Sequence, residues 1–240
     1  MGLLARSRIP RSHLLLLAAS LGLFAYGTAY VWRDNEGFRE WIREDGLVEW
    51  LTVAGFLACA VVSFRTAAAL RAEGGRAAAA RCWTLLAFVL LFACGEEISW
   101  GQRIFGWESP PWFQIYNNQQ ETNLHNLKFR RFDVNKVVFG KFLAVVNVAW
   151  ALLLPILWRC LPPVRGFVRR LGIPLAQNLH IAVWILVAAV NRFSTRQVPK
   201  AQELLEFMGS VMMLLILTHP LNAEDLPAAR RGAPAGPATP

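Results

Sequence analysis

The chain has 240 residues, a formal net charge of +9 and 55% apolar residues, with 10 Trp and 15 Phe among them. Apolar content at that level, delivered in long runs, excludes an ordinary soluble domain and points to a polytopic membrane protein. The basic excess is scattered over short connections without a stripe of interleaved aromatics, which argues against a nucleic-acid partner and leaves topology and anionic lipid headgroups as its use.

The first apolar run is Leu14 to Trp32, followed by Leu47 to Phe64, Cys82 to Ile98, Val137 to Trp158, Leu175 to Val190 and Leu204 to Thr218. Each has about 16 to 22 residues, enough to cross about 30 Å of hydrocarbon as a helix. The expected fold is an all-α transmembrane bundle of about six spans, with residues 1–222 as one domain. Two alternatives stay open. Arg6, Arg8 and Arg11, followed by Leu14 to Ala25 and the small residues Gly27 and Ala29, also fit a cleaved secretory signal, although the apolar stretch continues through Tyr30, Val31 and Trp32 and favours a retained span. Gln177, Asn178 and His180 crowd the start of the fifth run, so a five-span arrangement with a half-buried segment there is the other alternative.

Between the second and third runs, Ala67 to Arg81 is Ala-rich around Gly74-Gly75 and reads as two short helices or a flexible loop. The longest connection, Ser99 to Lys136, carries Trp100, Trp107, Trp112, Phe113, Tyr116, Phe129 and Phe132. Such aromatics suit the headgroup region, and short interfacial helices broken at Ser109-Pro110-Pro111 are expected to roof the bundle. The segment 223–240, rich in Pro, Ala and Gly, is expected to be disordered. Cys59, Cys82, Cys94 and Cys160 show no C-x-x-C spacing and imply neither disulfides nor a thiolate metal site.

With the amino terminus cytoplasmic, alternation places both termini inside a plasma (inner) membrane. Basic residues then divide almost evenly, but of the acidic residues only Glu73, Glu224 and Asp225 fall on the inner side. Acidic residues contribute little to orientation, so this asymmetry concerns what the other face does.

On that face the acids sit at span ends with helical spacing. Asp45 and Glu49 are i, i+4 at the second span, Glu203 and Glu206 are i, i+3 at the sixth, and Glu96 and Glu97 close the third. A carboxylate near a bilayer costs about 2.5 to 3.5 kcal/mol on insertion scales, so acids kept there have a partner, an ion or a task. Glu96, Trp100, Arg103 and Trp107 form one stripe if helix persists through Gly101, and Glu97 then points elsewhere. Glu96 and Arg103, about 10 Å apart along that axis, do not pair; Arg103 suits a carboxylate of another span or an anionic substrate group. Glu121 and His125 are i, i+4 in the amide-rich stretch Gln119 to Leu127, and as a helix they share a face. An imidazole beside a carboxylate supplies a metal ligand or a proton shuttle. His180 and His219 fall toward the opposite face, so a three-histidine zinc site is not expected.

The strings Glu44 to Trp50, Gly95-Glu96-Glu97-Ile98-Ser99-Trp100-Gly101-Gln102-Arg103, Glu121-Thr122-Asn123-Leu124-His125-Asn126 and Glu203 to Phe207 together resemble a group of small bacterial polytopic membrane proteins of unknown function. That resemblance implies an integral membrane protein and carries no activity. In style, with acids and histidine at span ends, the chain is also loosely similar to alkaline ceramidase-type membrane hydrolases. It lacks their His-x-x-x-His pair, and none of their catalytic residues is carried over.

Three readings follow. In the first, a membrane-embedded enzyme acts on a lipid or lipid-linked substrate: Glu49, Glu96 and Glu206 hold a divalent cation, Glu97, Glu121 and His125 serve catalysis, and Arg103, Trp100 and Asn123 bind substrate. An oxygen-rich ligand set favours Mg, Mn or Ca over Fe or Zn. In the second, the same acids form the vestibule of a cation- or proton-coupled carrier, although the middles of the first, fourth and sixth spans offer almost no polar path. In the third, the acids form ion pairs that lock the bundle.

Overall fold

Pro10 presets the backbone ahead of the first apolar run, which winds as helix α1 (Arg11–Arg33) in the computed structural model of residues 9–227. Asp34 ends that helix and starts the next: its carboxylate accepts the Gly37 N–H at 2.9 Å and caps α2 (Asn35–Trp41). Alanine and leucine on both sides of Gly74-Gly75 are strong helix formers. The stretch Ala67 to Arg81, expected as two short helices or a flexible loop, is therefore the end of α3 (Leu47–Ala72), a turn and the start of α4 (Ala77–Glu97), with φ of 70° and 66° at the two glycines.

The long connection begins with two short helices, α5 (Gln102–Phe105) and α6 (Pro111–Tyr116), separated at the expected Ser109-Pro110-Pro111 break with Pro111 in the first helical position. It then departs from expectation. Gln119 to Leu127 is not helical but a series of turns, followed by a small antiparallel hairpin of β1 (Lys128–Phe129) and β2 (Phe132–Asp133). The Asn117 side chain organises those turns by accepting the N–H groups of Gln119 and Glu121 and donating to Asn123. Asparagine competing with the backbone in this way disfavours helix.

The chain returns as α7 (Asn135–Cys160), wound partly with wide π-type turns, then the amphipathic α8 (Pro162–Leu171), α9 (Asn178–Gln197) and α10 (Gln202–Thr218). Among the described residues, five helical stretches are long and apolar enough to cross a membrane: α1, α3, α4, α7 and Pro199–Thr218. The expected fifth run differs. Leu175 lies outside helix, donating its N–H to Asn222 Oδ1 at 3.0 Å and accepting that of Leu221 at 2.8 Å, so α9 begins only at Asn178 and extends into polar residues such as Asn191 and Arg192.

Helix α3 packs along α4 and against α10, and α1 and α9 close on α10 from the other side. Lipid tails are as apolar as leucine, so close fit rather than water exclusion holds such helices together. Small residues provide it. A Cβ on Gly55 would lie 2.3 Å from Ser210 Oγ, and one on Gly27 2.8 Å from a Leu204 methyl, so a side chain at either glycine would force its neighbour to shift. Trp83 is fully buried and donates its indole N–H to the Gly172 carbonyl at 2.8 Å, tying α4 to the end of α8.

The packed chain extends past residue 222, where disorder was expected to begin. Ala223–Asp225 forms a turn, Leu226 is buried, and the Asp225 carbonyl accepts from Arg76 at 2.6 Å, so burial and charge outweigh the weak local composition. Residues 228–240 of that segment lie outside the described residues.

Candidate functional site

The site is shaped by an abrupt stop of α4. Glu97 is its last residue, and Ser99, Trp100 and Gly101 follow with φ of 47°, 57° and 81°, three left-handed residues in succession. Only glycine adopts that conformation without cost; for Ser99 and Trp100 it is sustained by what surrounds them. The turn folds Trp100 back on α4, where its ring covers Gly95, a position at which a Cβ would lie 2.8 Å from the indole. The helix therefore does not persist through Gly101, and the expected stripe from Glu96 to Trp107 is broken.

That turn delivers Arg103 to three carboxylates. Its Nε donates to both oxygens of Asp45 at 3.0 and 2.9 Å, Nη2 to Glu49 Oε1 at 2.6 Å, and Nη1 to Glu121 Oε1 at 2.6 Å. Burial opposes the charge, but the hydrogen bonds to Glu121 and Asp45 and the charges of Glu121 and Glu49 outweigh it and hold the guanidinium pKa above its ordinary value. Glu121 also accepts the Ser99 hydroxyl proton and, at 3.0 Å, the Asn123 amide. Asn123 is fully engaged as well, donating to Ser99 Oγ at 2.8 Å and accepting from Asn117 Nδ2 at 2.8 Å and the Asn126 N–H at 3.2 Å. Arg103, Glu121, Asn123 and Glu49 thus form a closed network joining α3, the turn after α4 and the long connection.

Glu96 belongs to a second network. It is 3% exposed and accepts the backbone N–H groups of Leu124 and His125 at 2.7 and 2.9 Å and the Trp100 indole N–H at 2.9 Å, with His125 Nδ1 at 3.6 Å. Its oxygens anchor the turns of the connection to the end of α4, in the way a capping carboxylate anchors a helix.

A third group remains. One carboxylate oxygen each of Glu97, Glu203 and Glu206 lies within 4.8 Å of the others. Helix α4 supplies the first and α10 the other two from adjacent turns, as their i, i+3 spacing dictates. None of the three forms an ion pair with arginine or lysine among the described residues. Glu49, Lys200 and His125 lie near enough to act electrostatically on this cluster.

The expected metal set is therefore divided: Glu49 is paired with Arg103, Glu96 is occupied by N–H donors, and Glu206 alone lies in the acid cluster, where it meets Glu97 and Glu203. Glu121 and His125 do not share a helical face; the first binds Arg103 and the second reaches Glu96 across the turn. Trp100 is half exposed, but its polar atom is spent on Glu96. Sequence spacing contained the signal for Glu203, whose i, i+3 relation to Glu206 places both on one face; read singly it resembles a headgroup-facing charge. Ser99 and Asn117, which hold the network together, carry no such signal. No protein-family model matches this chain, and neither does any curated protein or solved structure.

Proposed function

We propose that this is a cation-dependent integral membrane protein in which Glu97, Glu203 and Glu206 hold a divalent ion at one membrane face, for chemistry on a lipid or lipid-linked substrate. The observation that carries the reading is the gathering of three carboxylate oxygens within 4.8 Å, none of them in an ion pair with arginine or lysine among the described residues. Ionised carboxylates at that spacing repel by roughly 3 kcal/mol per pair at an effective dielectric of about 20, a cost that a bound cation reverses. Oxygen ligands alone suit Mg, Mn or Ca better than zinc or iron. Such an ion, when bound, polarises a phosphoryl or carbonyl oxygen and activates water. His125, beside the cluster and tethered to Glu96, is the proton-moving group in this reading. With the amino terminus cytoplasmic, the site faces the outer side of the plasma membrane, where Trp107, Trp112 and Tyr116 are exposed for headgroup contact.

The carrier reading finds less support. Below the cluster, the hydroxyls of Thr52, Ser63 and Ser210 along the α3–α10 interface all donate to carbonyls of their own helices. They close a packing seam and offer no continuing path for an ion.

The test is elemental analysis of purified, dialysed protein, with thermal unfolding in chelator and in added Mg, Mn or Ca. We expect about one Mg, Mn or Ca ion per chain and a rise in the thermal midpoint with that ion for wild type, both abolished by Glu203→Gln or Glu206→Gln. A wild-type protein that retains no ion and ignores all three cations would refute the proposal.

A further inference from the structure

The far end of the bundle gathers the histidines that the sequence leaves apart. His13 lies in the first turn of α1, His180 in the first turn of α9, and His219 directly after α10. The His13 and His219 rings are 5.4 Å apart, and His180 lies within electrostatic range of both. This is about 20 Å along α10 from Glu206 at 1.5 Å per residue, so the group is separate from the acid cluster.

The hydrogen bonds fix the state of one ring. Thr218 Oγ1 has a single proton and donates it to the Leu214 carbonyl at 2.6 Å. The contact between His13 Nε2 and Thr218 Oγ1 at 2.8 Å must then be donated by the imidazole. A neutral His13 therefore carries its proton on Nε2 and a bare lone pair on Nδ1. That Nδ1 is buried without a hydrogen-bond partner, and so is His219 Nε2. Only five buried side-chain polar atoms among the described residues are in that condition, and two of them fall in this one pair of adjacent rings. Buried polar atoms are almost always satisfied, so two orphans on rings whose centroids lie 5.4 Å apart point to a shared partner. His180 Nδ1 is committed to the Gln177 N–H at 3.4 Å, while Gln177 Nε2 donates to the His219 carbonyl at 3.0 Å and holds that residue in place.

We propose that His13 Nδ1 and His219 Nε2 ligate a borderline transition-metal cation of the zinc class, with Thr218 as the outer partner that fixes the His13 tautomer. Imidazole nitrogens select such ions over Mg or Ca, and a ligating histidine characteristically donates its other N–H to an oxygen, as His13 does. Water completes the coordination shell.

The experiment uses the full chain in detergent with Glu206→Gln, which disables the acid cluster and keeps the two proposals separate. After stripping with chelator, zinc is titrated and its neighbours are read by X-ray absorption. We expect one zinc per chain, imidazole scattering and Zn–N distances of about 2.0 to 2.1 Å. Affinity should drop by about 100-fold in His13→Ala and His219→Ala, and by about 10- to 100-fold in Thr218→Val, which leaves both rings but frees the tautomer. An all-oxygen shell, zinc retention untouched by the histidine substitutions, or no zinc retention at all would each overturn the assignment. The absorption spectrum of the parent settles the ligand type even where a histidine variant fails to fold.

Discussion

Glu96 and Glu97 are adjacent on the last turn of α4 and serve different partners: Glu96 binds the backbone of the long connection, while Glu97 joins Glu203 and Glu206. Successive residues of an α-helix point about 100° apart, so two neighbouring carboxylates are sent to separate tasks. Glu96→Gln should loosen the turns over 119–127 at a cost of about 1 to 3 kcal/mol, since two N–H donors lose a charged acceptor. Limited proteolysis of that segment should accelerate while the cation response persists. Glu97→Gln should give the reverse pattern, and identical behaviour of the two variants would contradict the division.

Arg103 holds three carboxylates with side-chain exposures of only 11% at Glu49 and Glu121. Arg103→Ala leaves those acids uncompensated and should cost about 3 to 5 kcal/mol in a reversible unfolding assay. Arg103→Lys should recover only part of this, because a point charge cannot serve the three directions of the guanidinium fork. Asp45, with 44% side-chain exposure, is the weakest member, and Asp45→Asn should cost less than about 1 kcal/mol.

The α3–α10 seam depends on the absence of a side chain at Gly55. Gly55→Ala should destabilise by about 1 to 3 kcal/mol through overpacking against Ser210. Ser210→Gly in the same chain should restore most of the loss, and a double-mutant cycle measures the coupling. Additive effects would mean that the two residues do not meet.

Asp133, at the end of the hairpin, holds the first turn of α7. The Lys136 backbone N–H, at 3.0 Å, is the main reason its carboxyl lies below the ordinary aspartate range. A depressed folded-state value means that the contribution is complete above the unfolded pKa of about 3.9 and is lost as pH falls through the folded value. Hydrogen-exchange protection of the Lys136 amide should therefore weaken in acid for wild type, and the step should vanish in Asp133→Asn.

The positions of α1, α3, α4, α7 and α10 were legible from sequence because a spanning helix announces itself by unbroken apolar length, a local property. The extent of α3 and α4 was not, since alanine-rich ends carry little hydropathy yet extend a helix readily. In the site, spacing located the acids of α3, α4 and α10 but could not assign partners. Whether Glu49 meets a metal or Arg103 depends on the left-handed turn at Ser99 and Trp100, which neither residue type favours and which only the assembled network sustains. The same limit hid His13, whose neighbours His180 and His219 lie far along the chain.

Two of the three carboxylates in the acid cluster lie on α10, behind every other long helix in the described chain. Synthesis runs from the amino terminus, so α4 enters the membrane with Glu97 well before Glu203 and Glu206 exist. The cluster is consequently absent from any nascent or interrupted product, in which the seam around Gly55 also stands open. Assembly of the acidic site therefore waits for α10, and until that helix packs, Glu97 stands without its two partner acids and the groove around Gly55 is unfilled.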